Sequence, residues 1–136
     1  TFIFTKNSFE VIASAKDTLF ELQVRNMLSA LKGKEYLGYT SNASLLYKLL
    51  IAPIESKIHT QKLIIIPDGL LGYLPFESLL MQNVSNDLHD YRTLPYLIHK
   101  YQISYHCSAS LLYEALTHRK EQKGRINFIG FAPVRF

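Results

Sequence analysis

A chain of 136 residues suits one modest domain, and 48% hydrophobic against 19% charged residues is the composition of a packed core rather than a disordered segment. Nine tyrosines and eight phenylalanines without a tryptophan make that core aromatic-rich. The single cysteine, Cys107, rules out a disulfide within the sequence and suits a reducing cytoplasm, where we expect the protein to reside. The longest apolar run, residues 63–66, stops at Pro67, far short of the ~18 residues a membrane span needs, so no membrane partner is expected. Thr1-Phe2-Ile3-Phe4 carries no basic stretch leading into an apolar core and a small-residue cleavage site. It reads as an arbitrary boundary rather than a signal peptide. The formal charge of +4 is spread over Lys6, Lys16, Lys32, Lys57 and Lys100. One cluster, His118-Arg119-Lys120 with Lys123 and Arg125, falls at an expected helix end, where cations complement the helix dipole, and no nucleic-acid partner is expected.

In chain order, residues 2–5 and 9–13 alternate apolar and polar around Lys6-Asn7-Ser8, the pattern of a short antiparallel hairpin. Ser14-Ala15-Lys16-Asp17 has capping-box spacing, with Asp17 in place of the usual glutamate. The helix expected after it places Phe20, Val24, Met27, Leu28 and Leu31 on one face and ends at Gly33. A second helix is expected from Ser41 or Asn42 to about Ala52, with Leu45, Leu46, Leu49 and Leu50 as its buried stripe and Pro53 interrupting it. The apolar run 63–66, with three β-branched isoleucines, reads as a strand buried on both faces, the habit of parallel sheets. Asp68-Gly69 is a turn in which Gly69 is free to take positive φ, and Pro75 suits the first turn of a short helix. Residues 82–92 are expected to be a polar surface loop. A strand over 101–105, a helix capped by Ser108 that carries Leu111, Leu112, Ala115 and Leu116 and closes at Gly124, and a strand over 126–131 form a right-handed parallel βαβ unit. The expected class is α/β: a mostly parallel sheet with flanking helices behind a short antiparallel hairpin. Residues 1–40 hold the hairpin and first helix and 41–136 the sheet domain, the whole forming one structural unit.

The stretch Ile65-Ile66-Pro67-Asp68-Gly69, followed by Leu74-Pro75-Phe76-Glu77-Ser78-Leu79, resembles the motif that opens CHAT domains. The likeness continues through Pro95-Tyr96-Leu97-Ile98, Tyr101-Gln102-Ile103-Ser104-Tyr105 and Ser108-Ala109-Ser110-Leu111-Leu112. Upstream, residues 46–54 look like the family's lead-in helix, and downstream Phe128-Ile129-Gly130-Phe131-Ala132-Pro133 looks like its next strand. The resemblance implies a caspase-like fold, incomplete here, in a clan of cysteine peptidases that includes caspases and separase. Such peptidases pair a general-base His with a Cys nucleophile, each at the end of a parallel strand. In the family the His lies beyond the strand resembling 126–131 and the Cys later still, so the resemblance assigns no catalytic residue to this sequence. What it implies is an amino-terminal, non-catalytic portion of a larger bacterial protein, a possible cysteine peptidase. Its partners would be the remaining carboxyl-terminal half of the same domain and upstream tetratricopeptide repeats, with self-association of the fragment a further expectation. Two other readings stay open: a non-catalytic signalling or scaffold module, and a doubly wound domain binding a small ligand or nucleotide.

Four features invite a functional reading. His106-Cys107 holds the only thiol, but neighbours on a strand point to opposite faces, so the pair reads as structural. A thiol served from afar by His59 or His99 has nothing in the sequence to support it. Asp68 stands at the carboxyl end of a strand, where open α/β sheets bind ligands, yet its carboxylate is expected to hold the turn by bonding nearby amides. One glycine after it is not a phosphate-cradling loop. His59, His89, His99, His106 and His118 show no compact pairing with carboxylates, so no metal and no cofactor are expected.

Overall fold

A computed structural model describes residues 1–5, 8–13, 18–84 and 90–117. The elements are β1 (Phe2–Phe4), β2 (Phe9–Val11), α1 (Phe20–Gly33), α2 (Tyr36–Leu50), α3 (Ala52–Glu55), β3 (Lys62–Ile65), β4 (Gln102–Tyr105) and α4 (Ala109–Thr117), with 3-10 turns between β3 and β4. Residues Thr1–His106 form one compact unit, and a second begins at Cys107.

In the first unit, β1 and β2 pair antiparallel, Phe2 opposite Val11 and Phe4 opposite Phe9, as the alternating pattern predicts. Period two therefore puts Phe2, Phe4, Phe9 and Val11 on one face. That face is exposed, while Ile3 and Glu10 on the other are half-buried and Glu10 pairs with Lys57 at 3.0 Å. The capping box at 14–17 lies outside the described residues. α1 then buries Val24, Met27 and Ala30, with Phe20, Leu28 and Leu31 packed against the core. Its end differs by one residue from expectation. Gly33 is still helical, and the left-handed position falls on Lys34 (φ 56°), with the Glu35 amide reaching back to Ala30 O at 2.9 Å. Such a 6→1 bond is the mark of a Schellman close, which needs positive φ after the last helical residue.

α2 departs further. It starts at Tyr36, well before Ser41, and its buried face is Tyr36, Tyr39, Thr40, Ala43, Ser44, Leu46 and Tyr47. Of the expected leucine stripe only Leu46 is buried; Leu50 is intermediate, and Leu45 and Leu49 are exposed. The early start hides from sequence because Glu35, the N-cap, makes no side-chain capping bond. The stripe differs because tyrosine rings, an alanine and two hydroxyls fill the packed side. The hydroxyls are satisfied there: Thr40 donates to Tyr36 O at 3.0 Å, and Ser44 Oγ lies 2.8 Å from Thr40 O and 2.9 Å from Gln82 O. Pro53 does stop the helix, and α3 resumes with a proline in its first turn, where a missing amide hydrogen costs nothing.

β3 and β4 pair in parallel, Leu63 opposite Ile103 and Ile65 opposite Tyr105. The fold is thus mixed α/β, with one antiparallel hairpin and one parallel pair among the described residues. β3 is not buried on both faces. Leu63, Ile65 and Ile103 lean on the core, but Ile64 on the opposite face is 54% exposed and Ile66 is exposed too. Between the strands the chain runs through turns rather than a long helix, and these turns supply over a third of the core: Leu74, Phe76, Leu79, Leu80, Leu94 and Leu97 are all buried. The loop expected over 82–92 has residues 85–89 outside the described set. Its end is not wholly polar surface, since Tyr91 meets the Tyr36 ring edge-on at 5.0 Å.

In the second unit, Ser108 caps α4 as expected, its Oγ 3.4 Å from the Leu111 amide. Leu111 and Leu116 are exposed. Gly124, the strand over 126–131 and the basic cluster from His118 to Arg125 lie outside the described residues, and with them the second half of the expected βαβ unit.

Candidate functional site

The region matching the motif sits beyond the carboxyl ends of β3 and β4, where open parallel sheets bind ligands. Pro67 and Asp68 leave β3 extended, and Gly69 takes φ +55° to start a 3-10 turn over Gly69–Tyr73. Asp68 contributes no side-chain capping bond; the turn closes through its main chain, with the Leu71 amide 3.2 Å from Asp68 O. The expectation that the Asp68 carboxylate holds the turn is therefore corrected. Positive φ at Gly69 does that work, and the carboxylate stands exposed.

After the turn, residues 74–80 thread into the core. Pro75 precedes a short 3-10 turn, Phe76–Ser78, whose start Ser78 Oγ fastens by donating to Pro75 O at 2.7 Å. Tyr39 of α2 donates its hydroxyl to Ser78 O at 2.6 Å. The next carbonyl, Leu79 O, accepts from the Leu97 amide at 2.8 Å, and the Met81 amide donates to Pro95 O at 2.9 Å. The motif's leucines and phenylalanine are thus a structural spine between α2 and the approach to β4. Burial drives the Tyr39 hydroxyl well above the ordinary tyrosine range, so it stays a donor at any physiological pH.

Glu77 is the one charged residue of this spine, and it meets Tyr105 at the end of β4. The Tyr105 hydroxyl donates to the Glu77 carboxylate and accepts from the Phe76 amide at 2.9 Å. Burial first, and then the carboxylate beside it, push that hydroxyl far above its usual range. A hollow of about 250 Å³ is lined by Gly72, Tyr73, Pro75, Glu77 and Tyr105, and Glu77 also lines a groove of about 460 Å³ together with Lys62, Gln102 and Ile103. Sequence reasoning missed this tyrosine–glutamate clasp. Tyr105 and Glu77 are 28 positions apart, and only the β3–β4 pairing brings them together.

A second polar knot ties α2 and α3 to the approach to β4. Glu55 accepts from Tyr47 at 2.6 Å and from Lys100 at 2.7 Å, with the Tyr101 hydroxyl at 3.4 Å. The bonded Lys100 ammonium and Tyr47 hydroxyl hold the Glu55 carboxyl below the usual range.

The residues weighed from sequence stand apart from these clasps. His106 is half-buried, its amide donating to Ile65 O at 3.0 Å, and Cys107 is exposed. His59 is exposed, as is His99, whose ring meets Tyr96 edge-on; His89 and His118 lie outside the described residues. Among the described residues no group of three or more His, Cys, Asp or Glu is placed to hold a metal, and no helix is long and apolar enough to cross a membrane.

What this geometry offers chemically is rigidity: a main-chain turn, a buried leucine spine, and two carboxylates each taken up by hydroxyl or ammonium donors. Neither a curated protein nor a solved structure matches the chain. The model of the CHAT domain matches residues 40–133, a span that takes in most of α2, both parallel strands, the Asp68-Gly69 turn and the spine. The chain belongs to the CHAT domain family.

Proposed function

We propose that this chain is the amino-terminal, structural portion of a caspase-like CHAT module within a larger bacterial cysteine peptidase, held under control by tetratricopeptide repeats. One observation carries the reading. The residues that mark the family are spent on packing and main-chain bonding, while the parallel pair they support is left with Ile64 and Ile66 exposed on one face. A sheet with that face is suited to receive further strands and helices, and a general base and a nucleophile would arrive with them. The single exposed cysteine is at ease in a reducing cytoplasm.

The test is hydrolysis of a fluorogenic peptide library by the purified chain. No turnover is expected. Turnover that survives repurification and disappears in Cys107→Ala would place the chemistry on the local thiol and overturn the structural role.

A further inference from the structure

Glu55 joins three segments of the first unit. It closes α3 on the way to β3, and its carboxylate accepts from Tyr47 of α2 and from Lys100, just ahead of β4. The two bonds answer differently to the charge on Glu55. Tyr47 is buried, and burial, then the carboxylate beside it, push its hydroxyl far above the ordinary tyrosine range. It therefore donates to Glu55 whether that group is charged or neutral. Lys100 is exposed and is drawn by the charge itself, which accounts for about half the strength of such a bond. Loss of the charge thus weakens the Lys100 side and leaves the α2 side fastened.

Lys100 follows a short outward turn. Leu97–His99 is a 3-10 turn in which the Lys100 amide donates to Leu97 O at 3.0 Å and the His99 amide to Tyr96 O at 3.1 Å. Leu97 and Tyr101 on either side are buried, whereas Ile98, His99 and Lys100 between them are exposed. Those three exposed residues line the 460 Å³ groove together with Lys62 and Glu77. The basic groups along the groove are Lys62, His99 and Lys100, and its one carboxylate, Glu77, is taken up by Tyr105. Without a charged Glu55, the remaining hold on the Lys100 ammonium among the described residues is the Tyr101 ring, 5.3 Å from it.

We propose that Glu55 is a charge-operated latch on this groove: charged, it fastens Lys100 and the turn Leu97–His99 to α3, and uncharged, it lets Ile98, His99 and Lys100 open outward while Leu97, Tyr101 and the helices stay in place. Because Lys100 and Tyr47 hold the Glu55 carboxyl below its usual range, acid releases the latch only as pH falls through that depressed value. The proposal does not depend on the peptidase reading above.

The test is backbone order measured by ¹⁵N NMR relaxation, which reports motion within the folded state rather than its stability. In the unaltered chain at neutral pH, Ile98, His99 and Lys100 should share the order parameter of rigid backbone, about 0.85. In Glu55→Gln, which keeps an acceptor for Tyr47 but no charge, the three should fall below about 0.6, and Lys100→Met should give the same loss. Ala43 and Leu46 in the buried middle of α2 should stay near about 0.85 throughout. Acidification of the unaltered chain to about pH 3 should reproduce the loss while α2 remains rigid. If the chain unfolds at that pH, the two variants at neutral pH decide. A turn that stays rigid in both variants, or is already mobile in the unaltered chain, would overturn the proposal. So would order lost in α2 together with the turn, which would make the knot a brace of the helices. A turn mobile in Lys100→Met but rigid in Glu55→Gln would place the hold in the Lys100 side chain over Tyr101 and would also sink the latch.

Discussion

The helical side of the first unit and its parallel sheet are built on opposite terms. Around α2 the chain buries Leu46, Leu79, Leu80 and Leu97 completely and spends its hydroxyls on internal carbonyls. The sheet, by contrast, buries one face of two short strands and leaves Ile64 exposed, and among the described residues no third strand joins the pair. The difference teaches that a family motif can be most marked in sequence where the fold is being braced. Residues 74–80 are the brace, and β3 and β4 are what they hold up.

The largest expected effect tests that division. Leu79→Ala empties a site with 0% exposure and should lower stability by about 2–5 kcal/mol in urea unfolding. Ile64→Ala should stay within about 1 kcal/mol, because its side chain is already half in water. Equal losses would mean that the sheet is as tightly packed as the spine. Next in size, Gly69→Val should destabilise by about 1–3 kcal/mol. Apart from its chain neighbours nothing lies within 4 Å of the position a Cβ would take, so backbone strain at φ +55° dominates the effect. An unchanged melting midpoint would show the turn to be ordinary.

The smallest expected effect concerns pH. Glu55 has a lowered pKa in the fold, so its contribution is fully present above the ordinary glutamate range near ~4.3 and is lost as pH falls through the depressed folded value. Urea midpoints should fall on acidification through that window, and Glu55→Gln should flatten the slope there. An identical acid slope in the variant would remove Glu55 from the account.

Much of this was legible beforehand, for reasons that show where legibility stops. The hairpin and α1 follow from short-range periodicity, and Phe20, Val24 and Met27 fall where 3.6-residue spacing puts them. Gly69 could be read because only a residue without a Cβ accepts its φ cheaply. The face of α2 could not. Counting leucines favours Leu45 and Leu49, whereas the packed side takes tyrosines whose hydroxyls find partners as distant as Ser78. Nor could the exposure of Ile64, because a β-branched run announces a strand and not what covers it. The two clasps, Tyr105 with Glu77 and Glu55 with Lys100, join residues far apart in the chain and were invisible for that reason alone.

The connection between β3 and β4 has a kinetic consequence. Residues 66–101 separate two strands of only four residues each. Closing a segment that long loses chain entropy before the ladder repays any of it. α1 and α2, adjacent in sequence and packed on each other, can form early, and the leucines of 74–80 can collapse onto them. Only then do the ends of the intervening segment stand close enough for Leu63 to find Ile103. The sheet should therefore assemble after the helical side, and mutations in β3 or β4 should accelerate unfolding more than they slow folding.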